Sequence, residues 1–226
     1  MPVSNDVLAV ALRQMPRAGL RLSAAQQVGK ALRDRIIDGQ LTPGTRLTEE
    51  TISEALGYSR NTIRESFALL AAERLVVRET NRGVFVATPS CSDIRDLYAV
   101  RRLIQPAAVE HGTAYGPDLV GQIGEVVEGA RQRHRDGDAD AVRQANQVFH
   151  RLIAALAGSR RVSDLMEGVL AEMRLVFRVV ATDGDFHAHF LDRNEHIAAL
   201  LTAGDRSGAA AELRDYLDDA ERRLLG

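Results

Sequence analysis

From Ser23 onward the apolar positions of the chain fall into helical stripes. Val28, Leu32, Ile36 and Ile37 stand at i, i+4, i+8 and i+9, a stripe that Gly39 ends. LTPGTRL, residues 41–47, reads as a turn punctuated by Pro43-Gly44. Thr48 is placed to cap a short helix, EETISEAL, which Gly57 stops. Ser59 is placed to cap the next helix, whose inner side is Ile63, Phe67 and Leu70. The period then changes. Leu75-Val76-Val77 and Val84-Phe85-Val86 flank the turn Asn81-Arg82-Gly83 and predict a hairpin. Residues 1–22 show weak periodicity and are read as an N-terminal arm.

Pro89 disfavours helix at Thr88, and residues 89–91 are taken as a linker. Beyond it no strand pattern occurs. Helices are expected near 92–114, 117–136, 139–157, 162–181, 186–203 and 206–225, with breaks such as Gly116-Pro117, Asp136-Gly137-Asp138 and Asp183-Gly184-Asp185. Pro106 is expected to kink the first of them. The chain is therefore read as mainly α, with two domains. An N-terminal winged helix-turn-helix spans residues 23–88, and an all-helical bundle spans residues 92–226.

Composition fits this. Of 226 residues 45% are apolar but only 4% aromatic, and Trp is absent, so Leu, Val, Ile and Ala must fill the core. The single Cys, Cys91, excludes an internal disulfide and a zinc cluster built on cysteines. No stretch approaches the roughly 18 apolar residues of a membrane span, no signal-peptide pattern opens the chain, and a cytoplasmic location is expected. The net charge of −2 hides an asymmetry. Residues 1–88 carry 12 Lys+Arg against 9 Asp+Glu, and residues 89–226 carry 17 against 22. The basic half is the candidate for a polyanion partner.

The stretch SRNTIRESFALL, residues 59–70, sharpens that. A helix with a polar mouth and an apolar back, following a short helix and a tight turn, is the helix-turn-helix signature, and its start fits a DNA major groove. Arg60 and Arg64 lie four residues apart on one face, and Arg bonds bidentately to guanine O6 and N7. Ser59, Asn61 and Thr62 are short enough to reach phosphates or base edges. The hairpin then serves as a wing, with Gly83 allowing close backbone approach and Arg82 adding charge. The alternative is that Arg60 and Arg64 are surface residues paired with Glu65 and Glu73.

Residues 25–86 resemble the winged helix-turn-helix of the GntR family of bacterial transcription regulators. The resemblance is carried by the LR..I..G.L.PG..L.E opening, the LG.SR.T.RE core and the RG.FV wing. It implies DNA contacts from Arg60, Asn61, Thr62, Arg64 and Gly83. Ser66 stands where the family usually has Ala, and Arg74-Leu75 where it usually has Gly-Leu.

In the second half, polar residues sit on apolar stripes. Asn146 and His150 share a face with Ile153 and Ala157, His196 aligns with Leu200, Tyr216 with Leu213 and Ala220, and Gln105 follows Arg101 at i+4. Each has a plain reading as a core or surface residue. Residues 92–225 resemble the FCD ligand-binding domain of the FadR-like branch, through DLYAVRRLIQPAA, N..FH, EHIAALLTAGD and AAAELRDYL. Many members of that branch hold a divalent metal ion on Asp-x-x-x-His and two further His, and the metal helps hold a carboxylate metabolite. Here Asn146 stands at the Asp and Tyr216 at the last His, leaving His150 and His196 as matches. Two readings stay open. One is a metal, zinc or similar, on His150 and His196 with the Asn146 carbonyl. The other is a metal-free pocket in which Arg101, Asn146, His150, His196 and Tyr216 hydrogen-bond a small effector, with Arg101 as carboxylate clamp. His187 and His189 are read as surface residues.

The expected function is a homodimeric transcription regulator, most simply a repressor, that reads a palindromic double-stranded operator and answers to a small-molecule effector. Two alternatives are a metal-dependent enzyme using the His150/His196 pocket and a constitutive DNA-binding protein. Against the enzyme, no nucleophile–base pair, Gly-rich phosphate loop or HExxH motif occurs.

Overall fold

The computed structural model describes residues 22–180 and 186–226. The expected arm lies outside the described residues except for Leu22, as does the break at Asp183-Gly184-Asp185.

The winged module runs α1 (Ala24–Ile37), β1 (Arg46–Leu47), α2 (Glu49–Leu56), α3 (Arg60–Ala72), β2 (Val76–Glu79) and β3 (Gly83–Val86). Each helix starts where a side chain accepts an otherwise unpaired amide. Ser23 forms a capping box with Gln26, Thr48 caps α2, and Ser59 caps α3. Gly57 closes α2 in the left-handed conformation, φ 72°. Val28, Leu32, Ile36, Ile63, Phe67 and Leu70 meet Leu47, Leu75 and Val86 in one core.

The turn expected at 41–47 ends instead in a strand. Arg46 pairs with Phe85 and Leu47 with Val84, so the wing is a three-stranded antiparallel sheet ordered β1-β3-β2. Two residues are too few for a period-2 pattern to show in sequence, and the sheet partner is what makes them a strand. The other wing strands run slightly longer than their apolar runs, because Arg78, Glu79 and Gly83 join the ladder as outward-facing or terminal residues.

The second half comprises α4 (Cys91–His111), α5 (Pro117–Arg135), α6 (Ala139–Ala155), α7 (Arg160–Val179), a 3-10 turn (Ala188–Phe190), α8 (Leu191–Thr202) and α9 (Arg206–Leu225). Ser90 caps α4 in a capping box with Asp93, so Cys91 is the first helical residue and not the last of a linker. The helix continues through buried Pro106. The bundle core is aliphatic, with Phe149, Phe190, Tyr98 and Tyr216 among its few rings.

The halves share a helix. Met173 and Val176 of α7 pack in the bundle core, whereas Leu175 is buried in the core of the winged module. Arg178 Nη2, one turn on, donates to the Asp38 carbonyl at 3.1 Å.

Candidate DNA interface and effector site

The start of α3 is built to present its polar groups outward. Ser59 Oγ accepts from the Thr62 amide at 3.2 Å and lies 2.9 Å from the Thr62 hydroxyl, and Asn61 Nδ2 donates to Glu65 Oε1 at 2.9 Å. Arg60 and Arg64 keep 59% and 57% of their side-chain surface exposed, the condition for meeting a duplex. Both are held at their tips by acids of the first turn of α2. Arg60 Nη2 lies 3.1 Å from Glu50 Oε1, and Arg64 Nε lies 2.8 Å from Glu49 Oε1. The partners expected from sequence are engaged elsewhere, Glu65 with Asn61 and Glu73 with Arg33. The Arg64 hydrogen bond, with Arg60 and Arg78 nearby, holds the Glu49 carboxyl below its usual range.

Two further cations join this face. Arg78 Nη2 donates to the Arg64 carbonyl at 3.3 Å, tying the wing to α3. The Arg46 Nε would lie 3.5 Å from a Cβ placed on Gly83. Arg82 ion-pairs with Glu79 and lies 5.6 Å over the Phe85 ring. Neither Arg46 nor Arg78 stood out in sequence. Their signal is a charged residue within an apolar strand run, Arg46 before buried Leu47 and Arg78 after Val76-Val77.

In the bundle, buried polar groups of α4, α6, α8 and α9 form one chain. Arg101 Nε donates to Gln105 Oε1 at 3.3 Å, and Arg101 Nη2 lies 3.0 Å from His150 Nε2. Gln105 Nε2 lies 3.2 Å from His150 Nδ1 and donates to the His150 carbonyl at 3.1 Å. The Tyr216 hydroxyl lies 3.2 Å from His150 Nε2 and donates to Asn146 Oδ1 at 3.1 Å, where Asn194 Nδ2 also donates at 3.0 Å. Burial, then the Arg101 charge, pushes the His150 imidazole well below its ordinary pKa and keeps it neutral. Burial pushes the Tyr216 phenol up.

Four of the five predicted effector residues, Arg101, Asn146, His150 and Tyr216, thus converge. His196 does not. It is exposed, and Asn194 occupies the buried place. The apolar stripe of α8 is Ile197, Ala198 and Leu201, and Asn194 continues it at i−3 and i−4 whereas His196 lies off it. Helical spacing held that signal. His187 corrects a second expectation: it is buried, against the Phe177 ring at 4.5 Å, and neither ring nitrogen has a hydrogen-bond partner among the described residues.

The donor set does not fit the family's divalent metal. One imidazole, three amides and a phenol offer no anionic ligand, and the Arg101 guanidinium stands at the His150 nitrogen that a metal would take. Among the described residues no three His, Cys, Asp or Glu side chains come together.

Residues 24–86 match the gntR family of bacterial regulatory proteins, and residues 96–219 match the FCD domain. A crystal structure assigned to a GntR transcriptional regulator from Rhodococcus sp. RHA1 is 41% identical, covers 91% of this chain and 99% of that one, and superposes with a TM-score of 0.83. The chain belongs to the GntR family, in its FCD branch. This GntR protein is also 26% identical to the gluconate operon transcriptional repressor of Bacillus subtilis over 213 residues, 90% of this chain and 86% of that protein. Escherichia coli McbR/YncC, at 19% identity, shares the fold with a TM-score of 0.75 over 90% of this chain and 98% of that one. The GntR protein is a DNA-binding transcription regulator, and the enzyme reading has no support among its relatives. No helix among the described residues is long and apolar enough to cross a membrane.

Proposed function

We propose that this GntR protein is a homodimeric repressor acting in the cytoplasm on a palindromic operator, released by an effector that presents a carboxylate to Arg101. Arg101 carries the reading. It is 3% exposed, always charged, and its polar neighbours Gln105 and His150 are neutral. A buried guanidinium without a carboxylate is costly, and an anion that reaches it gains charge-assisted hydrogen bonds. Arg101 is also well placed to transmit. Its helix α4 begins at Cys91, a short step from Val86 of the wing, and α7 inserts Leu175 into the winged core. An effector that draws Arg101 off His150 shifts the pose of the winged module only so far as it binds one arrangement better than the other.

On the DNA, Arg60 and Arg64 read base edges from α3. Ser59, Asn61 and Thr62 reach phosphates and neighbouring edges, and Gly83 and Arg82 lay the wing along the backbone. A second copy related by a two-fold axis sets the next half-site about 34–36 Å away. Repression is supported by the name of the B. subtilis relative.

Fluorescence anisotropy on an operator selected from random DNA tests this. Gluconate, the sugar acid in the name of that relative's operon, is titrated first, then other small carboxylates. One of them releases the protein at a defined concentration. Arg101→Gln binds the same operator and ignores that compound. Release of Arg101→Gln at the wild-type concentration overturns the assignment of Arg101.

A further inference from the structure

A second place in the molecule gathers positive charge. Between the end of α1 and the helices α6 and α7 lies a cleft of about 210 Å³ lined by three guanidiniums, Arg143, Arg174 and Arg178. It is smaller than the roughly 300 Å³ at which drug-sized pockets begin and suits a single oxyanion group or a very small acid. Two of the three cations meet only neutral oxygens among the described residues. Arg174 Nε donates to the buried Gln147 Oε1 at 3.2 Å, and Arg178 Nη2 to the Asp38 carbonyl at 3.1 Å. Arg143 pairs with Asp140, whose side chain is 79% exposed at the rim, and the Asp38 carboxylate is the other acid of the lining. Burial first, then neighbouring guanidiniums, lower the affinity of Arg143 and Arg174 for their protons, and at Arg174 the Asp38 and Glu167 carboxylates act the other way.

We propose that this interdomain cleft is a second ligand site, separate from Arg101, that takes the phosphate or carboxylate group of a small metabolite on Arg143, Arg174 and Arg178. Three guanidinium forks match the geometry of a tetrahedral or planar oxyanion. The site also touches the DNA-binding half. Arg178 sits on the carboxyl end of α1, and Gly39 makes room for it: φ is 77°, and an added Cβ would lie 2.4 Å from the Arg178 guanidinium carbon. An anion in the cleft competes with the Asp38 carbonyl for Arg178, so its binding is linked to how α1 seats on α7. The inference does not depend on the Arg101 reading.

The test uses the full chain without DNA, at constant ionic strength set with sodium chloride. Inorganic phosphate and succinate are titrated separately by calorimetry. At least one binds saturably, and which one does separates the phosphate from the carboxylate source. Arg174→Gln and Arg143→Gln weaken that binding about tenfold or more, the loss of one charge-assisted contact. Arg178→Gln, at the exposed edge, gives the same readout if the half-buried variants fold poorly. Absence of saturable binding by both probes, or wild-type affinity in all three cleft variants, overturns the proposal. Loss of binding in Arg101→Gln alone moves the anion to the bundle core and overturns it as well.

Discussion

Arg101 Nη2 stands 3.0 Å from His150 Nε2, while Gln105 Nε2 stands 3.2 Å from Nδ1 of the same ring. Both neighbours are donors, and a neutral imidazole has one lone pair to offer. If Nδ1 accepts from Gln105, Nε2 carries the proton and gives it to the Tyr216 oxygen, whose own proton goes to Asn146. Arg101 is then left facing an N–H. The cluster therefore holds more donors than acceptors, and what it lacks is an anion and not a cation. Dialysis of the pure protein against zinc or nickel, followed by elemental analysis, is expected to leave far less than one metal per chain. The double variant Asn146→Asp with Tyr216→His, which supplies a carboxylate and a second imidazole, is expected to retain more. Stoichiometric zinc on the wild type would refute this account of the cluster.

The ion pairs Arg60–Glu50 and Arg64–Glu49 cross from the recognition helix to the helix before it. Being exposed, they add little to stability and are screened by salt. Their consequence is for DNA, because a guanidinium bonded to Glu49 must leave it to reach a guanine. Glu49→Gln is expected to tighten non-specific DNA binding several-fold and to narrow the ratio of specific to non-specific affinity. Arg64→Ala is expected to abolish operator preference, with the melting temperature and oligomeric state unchanged. Operator affinity should fall steeply with added salt, and with a shallower slope in Arg64→Ala. Competition footprinting at two salt concentrations checks all three expectations, and a normal footprint from Arg64→Ala would remove Arg64 from the reading helix.

The winged module was legible in sequence because its signals are local. Thr48 and Ser59 mark helix starts by side-chain capping and Gly57 marks a helix end by its left-handed backbone, all within four residues. β1 was not legible, since Arg46 and Leu47 become a strand only by pairing with residues some forty positions later. The bundle cluster divides the same way. Asn146 and His150 show themselves at i, i+4 on an apolar face, and Tyr216 lies in line with Leu213 and Ala220. His196 aligns with Leu200, which is only partly buried, whereas the buried stripe of α8 runs through Asn194. His187 and the arginine cleft depend on how α6, α7 and the following turn pack, and no periodicity within one element reports that.

Arg74 has φ 56°, the left-handed region, directly after the α3 cap residue Glu73, at the place where the family usually has Gly. A residue with a Cβ pays roughly 1 kcal/mol there, and glycine avoids the clash. The Arg74 side chain is 67% exposed, and its one ion pair, to Asp96 at 3.8 Å, is long. Arg74→Gly is therefore expected to stabilise the chain slightly, by up to about 0.5 kcal/mol after the added chain entropy of glycine is subtracted. Denaturant midpoints at constant m-value measure this. A destabilised Arg74→Gly would mean that the side chain contributes more through Asp96 and the neighbouring Glu172 than the backbone strain costs.

His187 gives the fold a pH limit. Burial first, then the charges of Arg143 and Arg101, bring its pKa down to about 4. In the unfolded chain the ring titrates near 6.5. The folded value is the lower one, so the unfolded state binds more protons between these limits, and stability falls as pH drops from about 6.5 toward 4. His150 is shifted in the same direction and adds to the loss. Between pH 7 and pH 5 the His187 contribution amounts to on the order of 2 kcal/mol. Urea unfolding at the two pH values should show a drop of at least that size in the wild type. His187→Gln, which replaces the ring with a neutral amide, should lower stability at pH 7 and shrink the pH-dependent part by about the His187 share. An unchanged pH dependence in His187→Gln would place the titration elsewhere in the chain.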